Sequence, residues 1–60
     1  MDTIILFHDY MGQRIDEKES DYAVYVGGET IIFKEKEFFV NGITYDEDQS
    51  IKYVRAYSRE

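Results

Sequence analysis

The 60-residue chain has no cysteine, no proline and no tryptophan, and a single histidine. Without cysteine there is no disulfide framework, no thiolate zinc site and no cysteine nucleophile. One histidine excludes a multi-histidine metal site within one protomer. Basic side chains are few: seven stand against thirteen acidic ones, a net charge of −6. Long apolar runs are also lacking. Residues 4–7 (Ile-Ile-Leu-Phe) fall far short of the roughly 20 residues that a spanning helix needs. Met1-Asp2-Thr3 has neither a basic n-region nor a small-residue cleavage site, so no signal peptide and no membrane partner are expected. With no cysteine either, the expected location is the cytoplasm.

What remains argues for a folded chain. Apolar residues make up 43% and aromatics 17%, with six Tyr and four Phe. Disordered chains are poor in aromatic and β-branched residues. The length allows one domain, residues 1–60, and a domain of this size buries only about 60% of the surface of its unfolded chain. No repeat, linker or low-complexity tract divides it.

Punctuation falls at Gly12, Gly27-Gly28, Asn41-Gly42 and the polar run at residues 46–50. Asn41-Gly42 lies between two β-prone runs, and Asn-Gly suits the two positive φ angles of a type I′ turn. A hairpin there pairs Val40 with Ile43, Phe39 with Thr44 and Phe38 with Tyr45. Gly27-Gly28 repeats the logic, pairing Val24 with Ile31 and Tyr22 with Phe33. Strands are predicted at 3–8, 22–26, 30–35, 37–40, 43–46 and 51–58. The expected fold is mainly β: a small antiparallel meander or curled barrel of five to six strands. One short helix could lie near residues 9–19, where Tyr10, Met11 and Ile15 would share a face. Alternation places Ile4, Leu6, Tyr22, Val24, Ile31, Phe33, Phe38, Val40, Ile43, Tyr45, Ile51 and Tyr53 in the core.

No catalytic constellation emerges. Asp46-Glu47-Asp48-Gln49-Ser50 begins like an EF-hand loop, but Ile51 and Tyr57 stand where that loop needs Gly and Glu. His8 beside Asp9 lacks a nucleophile in a suitable context. Gly27-Gly28 belongs to neither phosphate-binding glycine motif. The chain is therefore expected to be non-enzymatic, with no metal and no cofactor.

Two binding constellations compete. The first is acidic: Asp16, Glu17, Glu19 and Asp21, with Asp46, Glu47 and Asp48. Such an anionic surface fits a basic partner, and carboxylates on a rigid sheet can take the place of phosphates in a nucleic-acid-binding groove. The second is aromatic and basic: Tyr25, Phe39, Lys52, Tyr53, Arg55, Tyr57 and Arg59. These could stack and neutralise RNA or single-stranded DNA, although net negative charge opposes phosphate binding. A structural or accessory subunit of a larger assembly is the third reading. A homodimer is also expected, because Ile5, Phe7, Tyr25, Ile32, Phe39 and Val54 lie on faces that one small sheet cannot cover twice.

The Gly-Gly and Asn-Gly hairpin signals, the absence of Pro and Cys, and the acidic run Asp16-Glu17-Lys18-Glu19 resemble the small early proteins that bacteriophages make to disable host factors. Some of those are acidic DNA mimics. The resemblance implies an inhibitor in the host cytoplasm that occupies the nucleic-acid-binding surface of a basic host protein.

Overall fold

The computed structural model describes residues 2–20 and 26–59. Five strands follow in chain order: β1 (Asp2–His8), β2 (Arg14–Ser20), β3 (Thr30–Phe33), β4 (Lys36–Asp46) and β5 (Ile51–Ser58). They form one sheet in the order β2-β1-β5-β4-β3. Every neighbouring pair is antiparallel except β1 and β5, which run parallel. The mainly-β class and the small curled sheet match the expectation.

The curl can be read from one contact. β1 and β3 stand three strand spacings apart in the sheet order, about 14 Å in a flat sheet. Yet the rings of Phe7 on β1 and Phe33 on β3 stack with centroids 4.2 Å apart. The two edges therefore bend toward each other into a half-barrel. Lys34, just beyond β3, reaches across the seam to Asp16 on β2 at 2.8 Å.

Inside the curl lies the core: Ile5, Phe7, Phe38, Val40, Val54 and Ala56, with Ile31, Phe33 and Ile43 packed against it. Phe38 meets Phe7 edge-on at 4.7 Å, a preferred geometry for an aromatic pair. Phe38, Val40, Ile31, Phe33 and Ile43 are thus placed as expected. Tyr22 and Val24, with the strand and pairings expected at 22–26, lie outside the described residues.

For Ile4, Leu6, Ile51 and Tyr53 the structure gives the opposite side, while Tyr45 keeps the expected side. Parallel pairing sets Ile5 beside Val54 and Phe7 beside Ala56, and all four are buried. Ile4, Leu6, Ile51 and Tyr53 occupy the alternate positions and are only half-buried. Tyr45 is 58% exposed at the strand end. Ile5, Phe7 and Val54, expected to need a second subunit, are covered within one chain. Because residues 4–7 are apolar on both faces, only the neighbouring strand decides which face turns inward.

The expected hairpin at Asn41-Gly42 does not form. β4 runs straight through it, and both halves pair with β5: Val40 with Ala56, and Ile43 with Val54. Asn41 and Gly42 together oppose Arg55 alone, which is a β-bulge. Gly42 takes φ +115°, so the residue that would have served a turn serves the bulge. One long ladder against β5 outweighs a short local hairpin, and the bulge adds twist that helps the sheet curl. The tight turn lies instead between β3 and β4, at Lys34 (φ 51°) and Glu35 (φ 66°). Two consecutive positive φ angles are what a type I′ turn demands, here met without Gly or Asn. The expected strand 30–35 accordingly stops at Phe33. The Gly27-Gly28 turn does form, with the Glu29 amide donating to the Val26 carbonyl at 3.1 Å.

No helix occurs among the described residues. The Asp9 carboxylate accepts from the amides of Met11 and Gln13, both at 2.9 Å, while the Gly12 amide donates to the Asp9 carbonyl. This Asx-type turn leads into β2. β2 is an edge strand, and its charged sequence Arg-Ile-Asp-Glu-Lys-Glu-Ser is the usual protection of an exposed edge against unwanted pairing.

Candidate functional site

The register carries the charged residues to different places. At one end of the sheet Asp46 lies opposite Ile51, which neighbours Asp2 on β1. The β4–β5 turn there adds Glu47 and Asp48, and Glu19 sits beside Ile4 on the edge strand nearby. The Asp46 carboxylate accepts from the Gln49 amide at 3.2 Å, which fixes the turn. Among the described residues, Asp2, Glu19, Glu47 and Asp48 make no ion pair. Thr44, Tyr45, Asp46, Glu47, Asp48 and Tyr53 line an open recess of about 530 Å³. Three carboxylates thus gather at this end of the sheet, with Tyr45 on its inner face beside Lys52 and Tyr53 on its outer face. Carboxylates accept charge-assisted hydrogen bonds from guanidinium or ammonium groups, and ring faces attract the same cations.

At the opposite end, bases mingle with acids: Lys34, Glu35 and Lys36 at the β3–β4 turn, with Arg14 and Arg59. Asp16 belongs here. A hydrogen bond from Lys34 and one from the Glu17 amide hold its carboxyl below the ordinary value of 3.8, with a smaller opposing effect from desolvation. The sequence groups Asp16 with Glu17 and Glu19, but the structure spends its charge on closing the seam. Glu17 and Glu19 point the other way, onto the outer face beside Leu6 and Ile4. Asp21 lies outside the described residues.

The aromatic and basic set is only partly brought together. Phe39, Tyr53, Arg55 and Tyr57 share the outer face, and the Arg59 guanidinium lies 5.2 Å over the Phe39 ring. Lys52 is on the inner face, 7% exposed, with its ammonium 5.7 Å from the Tyr45 ring. Tyr25 lies outside the described residues. Sequence reasoning missed His8, whose ring stacks on Tyr57 at 4.6 Å and 19°, with Nδ1 3.2 Å from the Ala56 carbonyl. The parallel pairing of β1 with β5 brings these rings together, and no local pattern announces it. One face of Tyr57 and one of Phe39 are therefore already covered. Arg55 donates to the Thr44 hydroxyl at 2.5 Å.

No protein-family model, curated protein or solved structure matches the chain. The geometry alone carries the functional reading. Among the described residues, no group of three His, Cys, Asp or Glu is arranged to hold a metal ion. No helix there is long and apolar enough to cross a membrane.

Proposed function

We propose that this protein is a small acidic binding protein without catalytic chemistry. It acts by occupying a basic surface of a partner, specifically the nucleic-acid-binding surface of a host protein, as a DNA mimic would. The observation that carries this is the recess at the β4–β5 end, where Asp46, Glu47 and Asp48 join Tyr45 and Tyr53. Carboxylates two residues apart on a strand recur about every 6.8 Å, twice the roughly 3.4 Å axial step of phosphates along one DNA strand. Glu17 and Glu19 have that spacing on β2. Steering by the net charge of −6 would speed encounter with a cationic surface.

Direct nucleic-acid binding is less well supported. Lys52 is on the wrong face, two of the rings have one face covered, and the acidic end repels phosphate.

The test is affinity capture from bacterial lysate on the immobilised protein, elution with duplex DNA, and mass spectrometry. The expected result is a basic nucleic-acid-binding protein that DNA releases. The Asp46→Asn/Glu47→Gln/Asp48→Asn variant should fail to retain it. Equal retention by wild type and variant would remove the acidic end from the mechanism. Recovery of single-stranded nucleic acid instead of a protein would favour the aromatic face.

A further inference from the structure

We propose that β3 is a strap that opens and closes the half-barrel along its seam with β2. The strand is four residues long, and among the described residues its ladder runs to β4 alone. None of its side chains is fully buried. The six buried core residues come from β1, β4 and β5, so the core keeps its centre when β3 leaves it. β2, the other edge, is longer at seven residues and is tied to β1 by the Asp9 turn.

Both ends of β3 are bends. At its base Gly28 takes φ +87°. The Gly28 amide donates to the Val40 carbonyl, and the Val40 amide donates to the Glu29 carbonyl, both at 2.8 Å. Two residues thus share one partner, as in a β-bulge that begins on glycine. At its tip Lys34 and Glu35 hold φ 51° and 66°, a left-handed conformation that strains residues with side chains.

Side chains hold the strap shut. Among the described residues no backbone ladder joins β3 to β2. Phe33 stacks on Phe7 with centroids 4.2 Å apart and planes at 6°. The Lys34 and Lys18 ammonium groups lie 5.3 and 5.9 Å from the Phe33 centroid, and Lys34 bonds Asp16 at 2.8 Å. The Lys34 side chain is 71% exposed, so water competes for that pair and salt screens it. Local opening selects the segment with the fewest buried apolar contacts and the most exposed backbone hydrogen bonds. Here that segment is β3. Its departure relaxes the turn at Lys34 and Glu35, frees Asp16 and uncovers the Phe7 ring, while β2, β1, β5 and β4 stay paired. The seam lies at the end of the sheet away from Asp46, Glu47 and Asp48, so this device does not rest on the binding role proposed for that end.

Native-state hydrogen exchange of the isotope-labelled chain, followed by NMR at neutral pH and low urea, tests the strap. Amides bonded across β3 and β4 should be protected at least about tenfold less than those bonded across β4 and β5, and low urea should barely change their rates. Lys34→Ala should lower β3–β4 protection further, by roughly two- to fivefold, the range of an exposed ion pair. It should leave the β4–β5 amides relatively unchanged. Glu35→Gly removes strain from the closed turn and should raise β3–β4 protection. Salt at about 1 M should lower that protection in wild type more than in Lys34→Ala. Equal protection and equal urea dependence in the two ladders would overturn the proposal, because β3 would then open only when the whole chain unfolds. Faster exchange of β3 that neither Lys34→Ala nor Glu35→Gly alters would overturn it too, since simple fraying of an edge does not depend on the latch. The Asp46→Asn/Glu47→Gln/Asp48→Asn variant should keep the wild-type exchange pattern, so failure of the strap and failure of the acidic-end reading are separately visible.

Discussion

Along β5 the inward side chains Lys52, Val54, Ala56 and Ser58 are buried, whereas Ile51, Tyr53, Arg55 and Tyr57 between them are half-buried. The same alternation runs along β1, with Thr3, Ile5 and Phe7 inside and Ile4, Leu6 and His8 outside. Both faces are rich in apolar groups, so hydrophobicity does not separate them. Curling does: it brings Phe7, Phe33 and Phe38 into mutual contact and leaves the convex side with no second layer among the described residues. The inner face carries stability, and recognition is what we propose for the acidic end.

The largest test of that contrast compares adjacent residues of β1. Phe7→Ala should lower stability by about 3–5 kcal/mol, the usual effect of emptying a buried aromatic site. That approaches the whole stability of a domain with about 0.05–0.15 kcal/mol per residue. Leu6→Ala, one position along on the outer face, should lower it by only about 1 kcal/mol at a dilution where the chain is monomeric. Urea unfolding of both variants measures the difference, and equal losses would erase the distinction between faces.

Gly42→Ala should cost about 1–3 kcal/mol, because φ +115° strains a residue with a side chain. The added methyl would also lie 2.7 Å from Arg55 Nε, displacing the guanidinium across the outer face. A smaller effect of opposite sign is expected at the seam. Glu35→Gly should stabilise by about 0.5–1 kcal/mol, because the left-handed conformation at φ 66° suits glycine. Thermal unfolding reads both.

The smallest effect is electrostatic. Asp16 titrates below its ordinary value because Lys34 bonds its charged form. A carboxyl whose pKa is depressed by folding contributes stability above its unfolded value, and that contribution is lost as pH falls through the folded one. Wild type should therefore lose more stability than Lys34→Ala as pH drops from 5 through the acid range below the ordinary value of 3.8. Parallel pH dependences would mean that the bridge does not help close the seam.

The strands at 3–8 and 51–58 and the Gly27-Gly28 turn were legible because their signals are local. The inward side of β1 was not, since residues 4–7 are apolar throughout and the choice rests on the pairing with β5. β2 was hidden because an edge strand needs little apolar alternation, and Arg-Ile-Asp-Glu-Lys-Glu-Ser has almost none. Asn41-Gly42 misled because the positive φ that favours a turn equally suits a bulge. Lys34-Glu35 gave no turn signal, and its conformation follows from the pairing of β3 with β4. In the candidate site, the acids at 46–48 stand out as a run. The tyrosines beside them required strand register, and only the fold shows that Asp16 is tied to Lys34.

The central claim is that the acidic end steers this protein onto a cationic surface. Its most direct test is the association rate with the captured partner, measured for wild type and the Asp46→Asn/Glu47→Gln/Asp48→Asn variant at about 0.1 M and about 1 M salt. The Debye length falls from about 10 Å to about 3 Å between those conditions. The variant should associate more slowly than wild type at low salt, the two rates should converge at high salt, and dissociation should change much less. Equal association rates for the two proteins, unmoved by salt, would contradict the account and leave the anionic surface a feature of solubility alone.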